Sequence, residues 1–531
     1  MHEYKTMNTE VYLTAPGPSD RAQPDSPKRK LSSPQRMLID LCIAKFCPTM
    51  RYDCLLSPVA KQRAAARKLD PLGRCNESII ALLRRQCEVI QDHNGDRELA
   101  IKRCIDLMEM AHEKFYAFPF KAVPACWLEL YREASLLKFT AIALTSIWGM
   151  EDWGSENTPP LTERQLDDLV QTIDNAHIMS GRPRDSATQE NVNTAMDFLE
   201  MCHIESLTSS PQKNGQPAAK RRKMDVLGGR PYNPLAARST ATQKINPRIH
   251  PSNSIRRVVD LPVLDFSEHM KNPRDPDVGP EPIIIKGAIN HWPALNNRAW
   301  SDPEYLMAKT IGGRRLVPIE TGKSYVDALF GQKIMKFKDF LDQYVLHPES
   351  STQPGYLAQH DLFSQIPSLR EDIMIPDYCF MEAPGPHPSS PFADAHSQYP
   401  PVEEPLLNAW FGPAGTDTPL HTDPYHNILA QVVGRKYIRL YAPRESKNLY
   451  AKGREDGIDM SNTSEMDVGI LAGLDGTQQE VAAAGKKFPL AKNADFVECV
   501  LEEGECLYIP IGWWHYVRSL SVSFSVSFWF N

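Results

Sequence analysis

Two histidines and one aspartate in the C-terminal half of the chain form a ligand set that suits a redox metal. His421 and Asp423 stand two residues apart, and side chains at i and i+2 of a strand point to the same side. His515 follows an apolar strand pattern 94 residues after His421 and can lie beside the pair if the strands are neighbours. Oxygen-activating Fe(II) is held by two imidazoles and one carboxylate with positions left open. We therefore predict that His421, Asp423 and His515 bind the metal and are the catalytic residues.

The His-x-Asp tripeptide alone is weak evidence for such a site. A chain with 15 histidines and 66 acidic residues should contain about one tripeptide of this kind by composition. His203-Ile-Glu205 and His347-Pro-Glu349 are comparable patterns, one at the end of a helical stretch and one in a loop broken by proline. In the alternative interpretation, His421 is a turn histidine capped by Asp423. The surrounding sequence has to decide between these readings.

Three long motifs around these residues resemble the JmjC-domain oxygenases. Trp410–Asn427 is similar to the metal-binding strand of that family, Val433–Tyr441 to its cosubstrate strand, and Gly504–Val517 to the strand of the distal histidine. The resemblance covers essentially residues 255–531. It points to the subgroup named lysine-specific demethylase 8, also described as a protein arginyl hydroxylase, through four further motifs: Tyr356–His360, Ile375–Tyr378, Lys286–Pro293 and Ser525–Trp529.

The resemblance implies a role for each residue that matches a family motif. The three metal-binding residues keep that role, and Lys436 would pair with the distal carboxylate of the cosubstrate 2-oxoglutarate. The hydroxyls of Tyr356 and Thr418 would help Lys436, and Asn427 would lie near the cosubstrate. Elementary electrostatics agrees, because a dicarboxylate inside a β-barrel needs a buried cation with hydroxyl donors. A lone lysine on a strand is more often a surface residue, but Lys436 follows an apolar strand closely.

The implied enzyme is a 2-oxoglutarate-dependent dioxygenase that uses Fe(II), 2-oxoglutarate and O2 and releases succinate and CO2. It would hydroxylate a C–H bond of a protein or peptide substrate. An arginine substrate needs a carboxylate and aromatic walls for its guanidinium, and we predict Glu320 as that carboxylate. Trp410 and Trp529 are the predicted walls. In the alternative interpretation Glu320 is a solvated strand-end acid and both tryptophans are core residues.

Two other function classes fit the same sequence. A histone N-methyl-lysine demethylase would use the same centre and lose the hydroxylated methyl group as formaldehyde. The sequence lacks a chromatin-reading finger with the usual Cys/His spacing, which weakens that class slightly. A non-catalytic interaction protein on a JmjC scaffold is the third class, and the intact ligands and lysine argue against it. The expected partner is a protein or peptide, such as a histone tail or another nuclear protein.

The elements that must position these residues begin with helices. From about Gln35 to Glu205 the apolar residues have helical spacing, and Asn76 is the expected N-cap of a stretch that reaches Ile90. Further helical stretches cover Leu99–Phe115 or begin near Pro124, Thr162 and Ser186. We predict an all-α domain over 36–205 that carries no catalytic constellation. It stands between a disordered tail at 1–35 and a basic linker rich in Pro, Ser and Gly at 206–250.

From about residue 251 the pattern becomes β. Short apolar or alternating runs bounded by turn residues occur at 282–286, 429–433, 436–441, 506–510 and 519–530. They predict an α+β fold whose C-terminal oxygenase domain, 251–531, is a double-stranded β-helix, the jelly-roll or cupin-like JmjC barrel. Helices at Ser301–Ile311 and Lys336–Val345 would brace this barrel. Insertions at Met381–Glu404 and Glu455–Lys487 are expected to be rim loops that alter substrate access.

Composition limits the remaining possibilities. The 531 residues are 42% hydrophobic and 24% charged, as in ordinary globular proteins. A net charge of −7 disfavours strong direct nucleic-acid binding. The longest near-apolar stretch, Leu136–Met150, contains Lys138 and is too short to span a membrane. Eleven cysteines without a CxxC pair indicate reduced thiols in an intracellular protein. Basic runs at Lys28–Lys30 and Lys220–Lys223 predict a nuclear location, with the cytoplasm as the alternative.

Overall fold

The protein is described by a computed structural model. It covers residues 33–57, 70–118, 122–148, 159–209, 235, 247–322, 330–348, 351, 353–455 and 458–531. Most of the predicted tail and linker, with both basic runs, lies outside the described residues. Within the described residues, no helix is long and apolar enough to cross a membrane.

The N-terminal part is helical, as the apolar spacing predicts. Asn76 caps its helix by accepting a hydrogen bond from the Ser78 amide at 3.0 Å, and Thr162 forms a capping box with Gln165. The apolar faces of these helices bury a common core that includes Leu137, Phe139 and Leu169. The helices are α1 Pro34–Leu41, α2 Thr49–Leu56, α3 Glu77–Gln91, α4 Arg97–Tyr116, α5 Ala125–Trp148, α6 Glu163–Ser180 and α7 Ser186–Ser209.

The C-terminal part is built around two sheets, which confirms the predicted α+β fold. In the described chain the larger sheet has the order β1-β2-β13-β8-β15-β6-β5-β3-β4, and the smaller has the order β12-β9-β14-β7. Strands that follow one another in the sequence, from β6 to β9 and from β12 to β15, alternate between the two sheets, as in a jelly roll. The strands are β1 Arg257–Val259, β2 Ile283–Lys286, β3 Leu316–Thr321, β4 Gly331–Lys336, β5 Gly355–His360, β6 Leu406–Gly412, β7 Asp417–Thr422, β8 His426–Val433, β9 Lys436–Tyr441, β10 Arg454–Glu455, β11 Ile458–Asp459, β12 Phe496–Leu501, β13 Glu505–Ile509, β14 Trp514–Ser519 and β15 Ser523–Phe530.

Helices accompany the barrel where bracing was predicted and also elsewhere. The predicted brace at Lys336–Val345 is α10 followed by a π-helical turn at Leu341–Leu346, and Phe337 and Phe340 from it enter the barrel core. The helices of this part are α8 Val263–Lys271, α9 Pro303–Lys309, α10 Phe337–Phe340, α11 Leu362–Gln365, α12 Pro367–Arg370, α13 Ala393–His396, α14 Val468–Leu471 and α15 Gln478–Lys487.

Two predictions of local structure are wrong in detail. The alternating run Ser519–Phe530 is not one strand, because the chain turns at 520–522 and places β14 and β15 in different sheets. The two insertions are not plain loops. Residues 381–404 contain α13, and residues 455–487 contain α14 and α15, the latter opened by a capping box of Thr477 and Glu480. That box and the alanine-rich sequence after it are ordinary helix signals.

A buried ion pair joins the helical part to the barrel. Asp174 on α6 is fully buried and accepts hydrogen bonds from the guanidinium of Arg315 at 2.8–3.0 Å. The amide of Leu316 at 2.7 Å and the side-chain amide of Gln365 at 2.8 Å donate to the same carboxylate. Since Leu316 begins β3, a helix outside the barrel fixes the start of a barrel strand.

Candidate metal centre and substrate cavity

The strand register brings the three predicted metal ligands together. His421 on β7 lies directly opposite His515 on β14, with ring centroids 4.2 Å apart, and Asp423 follows the end of β7. Nε2 of His421 is 3.8 Å from Oδ1 of Asp423, and Nε2 of His515 is 3.6 Å from Oδ2. All three donor atoms lie within 4.8 Å of one another, and the described residues contain no other such group.

Hydrogen bonds orient both imidazoles for metal binding. Nδ1 of His421 faces the carbonyl of Pro419 at 2.8 Å, and Nδ1 of His515 faces the carbonyl of Trp513 at 3.1 Å. A carbonyl only accepts, so Nδ1 carries the proton in each ring and the Nε2 lone pair points to the space between the ligands. Burial, reinforced by His421, holds the pKa of His515 well below its usual value, which keeps this ring in the neutral form that binds metals.

The donor set fits a divalent transition metal. Burial raises the pKa of Asp423, while His421 and His396 lower it. Two inward lone pairs and a desolvated carboxylate are unfavourable without a cation, and a metal ion removes that cost. Two imidazoles and one carboxylate with remaining positions open match the ligand chemistry of non-haem Fe(II).

The segment predicted as a rim loop near Glu455 contacts the metal-binding strand directly. β7 is the last strand of the smaller sheet, and residues 462–464 pair with its outer edge. The amide of Thr422 donates to the carbonyl of Asn462 at 2.9 Å, and the amide of Ser464 donates to the carbonyl of Leu420 at 2.8 Å. This insertion therefore braces the strand that carries His421.

Lys436 is a buried cation that suits an anionic ligand. It begins β9, is 1% exposed, and its Nζ donates to the Tyr356 hydroxyl at 3.2 Å. Tyr356 in turn is hydrogen bonded to Thr418. Burial lowers the pKa of Lys436 to about 7, and among the described residues no carboxylate pairs with it. A ligand carboxylate would supply the missing negative charge.

The inner cavity joins the metal centre to Lys436. Its wall includes the metal ligands, Tyr356, Thr418, Asn427 and Lys436, with Leu429, Ile509 and Val517 as apolar lining. Oδ1 of Asn427 and Nε1 of Trp529 are buried atoms without a hydrogen-bond partner in the described structure. A ligand bound in the cavity could supply hydrogen-bond partners for these atoms. A dicarboxylate with one end at the metal and the other at Lys436 fits this lining.

An outer cavity opens from the inner one. Its volume of about 540 Å³ lies in the range of ligand-binding sites. Glu320, Trp410 and Trp529 all line it, so neither tryptophan is a core residue. Burial raises the pKa of Glu320 to about 6, against a smaller lowering by its hydrogen bond to Gln332. Trp410 is fixed by donating to the Ser527 hydroxyl at 3.0 Å. The structure therefore places all the predicted site residues on one continuous pair of cavities.

Sequence reasoning missed other residues of the outer wall. Tyr425 lies inside the metal-strand motif, between Asp423 and Asn427, so its position was a usable signal. Gln359 has a left-handed φ of 47° at a register shift between β5 and β6, which only the structure reveals. Tyr399, Leu406 and Asn462 also line the cavity. They come from segments without a recognisable motif.

Comparisons with known proteins agree with this geometry. Residues 278–531 match the family model of a Cupin-like domain. The chain is 33% identical to lysine-specific demethylase 8 of Danio rerio over 82% of this chain and 89% of that protein. It is 42% identical to lysine-specific demethylase 8 of Xenopus tropicalis, over 47% of this chain and 48% of that protein. It is 44% identical to lysine-specific demethylase JMJ30 of Arabidopsis thaliana, over 47% of this chain and 50% of that protein, so the frog and plant matches span about half of each relative.

Proposed function

Since the chain belongs to the JmjC-domain family of cupin-like, 2-oxoglutarate-dependent dioxygenases, we propose that it hydroxylates an arginine side chain of a protein substrate. The enzyme uses Fe(II), 2-oxoglutarate and O2. The position of Glu320 is the observation that supports an arginine substrate. Its carboxylate lines the outer cavity beside aromatic walls, and among the described residues no cationic side chain pairs with it. A guanidinium would provide the charge and the planar donors that this wall lacks.

The proposed roles divide between the two cavities. His421, Asp423 and His515 hold the iron, while Lys436 and the Tyr356 hydroxyl bind the distal carboxylate of 2-oxoglutarate. Thr418 and Asn427 complete the cosubstrate site, as lining residues of the inner cavity. When bound, iron with its cosubstrate and O2 supplies the oxidising power that yields succinate and CO2 and hydroxylates a C–H bond.

The protein's own groups orient the reactants and exclude water. The carbonyls of Pro419 and Trp513 hold the imidazole rings through Nδ1, so the ligand geometry is set before iron binds. Glu320 would anchor the guanidinium, which leaves the aliphatic carbons of the arginine as the part that reaches the inner cavity. Trp529 lines both cavities and would help to keep water from the reacting carbon once the substrate is bound. Positioning of this kind accounts for a large part of enzymatic rate enhancement.

Demethylation of N-methyl-lysine is the second candidate. The relatives named above as lysine-specific demethylases favour it, and the same carboxylate with aromatic walls could hold a methylammonium group. Histone tails or other nuclear proteins are then the proposed partners under either activity. The two activities differ in product, since one adds an oxygen atom and the other releases formaldehyde.

Mass spectrometry of peptides incubated with the enzyme, Fe(II), 2-oxoglutarate and O2 separates the candidates. A gain of one oxygen on arginine is expected, whereas loss of a methyl group with formaldehyde would establish demethylation instead. Glu320→Ala should abolish arginine turnover and leave the binding of 2-oxoglutarate intact. Glu113→Ala, at an exposed position of α4, is the matched control. Unchanged arginine turnover in Glu320→Ala would remove Glu320 from the site.

We also propose a nuclear location and the predicted division of the chain. Replacing Lys220–Lys223 and Lys28–Lys30 by neutral residues in a fluorescent fusion should shift the protein to the cytoplasm. Limited proteolysis should cut first within 206–250, between the helical part and the barrel. Cleavage elsewhere, or unchanged nuclear signal, would contradict these two proposals respectively.

A further inference from the structure

A row of aromatic rings extends from the cavity wall to the rim. Trp529 stacks on Tyr425 with ring centroids 5.6 Å apart and planes at 18°. Tyr425 meets Tyr399 edge to face, with centroids 5.7 Å apart and planes at 75°. All three rings line the outer cavity. The row therefore leads from the wall of the reaction site out to the surface of the protein.

The outermost ring belongs to the insertion at 381–404, and this insertion is held firmly against the barrel. Nδ1 of His426 accepts from the Tyr508 hydroxyl at 2.8 Å, which leaves Nε2 to donate to the carbonyl of Pro384 at 2.9 Å. At the other end, Asn531 donates to the carbonyl of Pro400 at 3.3 Å and accepts from the amide of Val402 at 2.9 Å. Tyr399 stands next to this second attachment. The ring of Tyr399 therefore lies on a segment that hydrogen bonds attach to the barrel at both ends.

Apolar groups form part of the mouth of the outer cavity. Leu406 is 43% exposed there, and Pro424 lines the same wall. Two acidic groups of this cavity already interact with other partners. Asp423 is a predicted metal ligand, and Asp417 accepts a hydrogen bond from the Tyr516 hydroxyl at 3.2 Å. Glu320 is reserved for the target side chain. Besides the uncharged polar side chains of Gln359 and Asn462, the wall presents ring faces and aliphatic carbon, which favour a planar or apolar side chain over a charged one.

We propose that Tyr399 and Tyr425 form a second substrate-binding surface, which takes an aromatic or proline side chain flanking the target residue of the peptide. This proposal rests on the proposed function, because it assumes that a peptide enters the outer cavity. The two ring-to-ring steps of 5.6 and 5.7 Å match about three residues of extended chain at ~3.5 Å each. The flanking residue therefore lies within about three positions of the target.

The test compares peptides that differ only at the flanking positions. Two series carry arginine or N-methyl-lysine as the target, each with phenylalanine, proline, glycine or lysine at positions one to three on either side. Affinities are measured by fluorescence polarisation on the complete chain loaded with Fe(II) and 2-oxoglutarate without O2. The readout is the ratio of affinities for the phenylalanine and glycine peptides within each variant. Such a ratio does not depend on how much of a variant is active.

The phenylalanine and proline peptides should bind about tenfold more tightly than the glycine peptide at one position, the gain typical of one well-packed aromatic contact. Tyr399→Ala and Tyr425→Ala should bring the ratio close to one, while Tyr399→Phe keeps it. Tyr116→Ala is the matched control, since Tyr116 is 81% exposed on α4. Thermal melting verifies that each variant is folded.

The outcomes separate this proposal from the proposed function. A flanking preference seen only in the N-methyl-lysine series would support the aromatic surface and refute the arginine assignment. Equal affinities for the phenylalanine and glycine peptides in both series would overturn the surface, as would a preference that persists in Tyr399→Ala and Tyr425→Ala. Tighter binding of the lysine-flanked peptides than of the phenylalanine-flanked ones would also overturn it.

Discussion

Lys436→Met should make the protein more stable without 2-oxoglutarate while it removes the binding of that cosubstrate. The difference between the ordinary lysine pKa of 10.5 and a pKa of about 7 corresponds to ~5 kcal/mol by which burial disfavours the ammonium. Methionine fills a similar volume without a charge. The lost hydrogen bond to Tyr356 offsets about 1 kcal/mol of the gain. A net stabilisation of roughly 2–4 kcal/mol is expected at neutral pH.

The stability of the wild type should depend on pH because Lys436 titrates at a different pH in the folded and unfolded protein. Because the pKa of Lys436 is lower in the folded protein, the unfolded chain binds more protons between about pH 7 and pH 10.5, and wild-type stability rises with pH across that window. Below about pH 7 the full penalty is present. The advantage of the methionine variant should therefore shrink by about 2 kcal/mol between about pH 7 and pH 9.

Denaturant unfolding over this pH range measures both effects, with a chelator present for the apoprotein and without chelator for the protein loaded with metal and 2-oxoglutarate. Saturating 2-oxoglutarate with metal should stabilise the wild type by ~2.7 kcal/mol at about 100 times its Kd and leave the variant unchanged. Lys102→Met, at an exposed position of α4, should alter neither property. The reasoning is refuted if Lys436→Met is less stable than the wild type at neutral pH, or if it still binds 2-oxoglutarate normally.

Three further predictions test the metal centre, the substrate cavity and the buried ion pair. His421→Ala should leave a folded protein that retains no iron by elemental analysis and makes no succinate. The KM for an arginine peptide should rise about tenfold per pH unit below about pH 6, as Glu320 protonates, and this slope should vanish in Glu320→Gln. Asp174→Ala should cost ~3–5 kcal/mol in denaturant unfolding, because it leaves the Arg315 guanidinium buried and unpaired, whereas exposed Asp168→Ala should change little.

Several barrel strands and helix ends could be predicted because their sequence signals are local. Lys436-Tyr-Ile-Arg-Leu-Tyr441 alternates as a strand should, and Asn76 and Thr162 have the side chains that cap helices. The grouping of His421 with His515 depended on family motifs, since their cross-strand pairing links residues far apart in the chain. No spacing rule applied to the tripeptide alone would have supplied that register.

What could not be predicted depends on contacts between distant segments. The turn at 520–522 is hidden because Leu520 and Val522 continue the alternation of β15. The ion pair of Asp174 with Arg315 joins a helix to a strand that no motif connects. The segment of Tyr399 is held by hydrogen bonds of Pro400 and Val402 to Asn531, which is more than 100 residues away in the sequence. Each of these features arises from tertiary packing, which local propensity does not encode.

The pairing of residues 462–464 with β7 has a consequence for protein solubility. An unpaired sheet edge invites hydrogen bonding by a strand of another molecule, and such association is a common route to aggregation. Here that edge belongs to the strand of His421, and a slip in register by one residue would turn its side chain to the opposite face. Deleting this insertion would thus expose a sheet edge that can aggregate. It would also remove hydrogen bonds that keep His421 in position to bind iron. Residues 462–464 therefore cover the outer edge of β7 and help to fix its register.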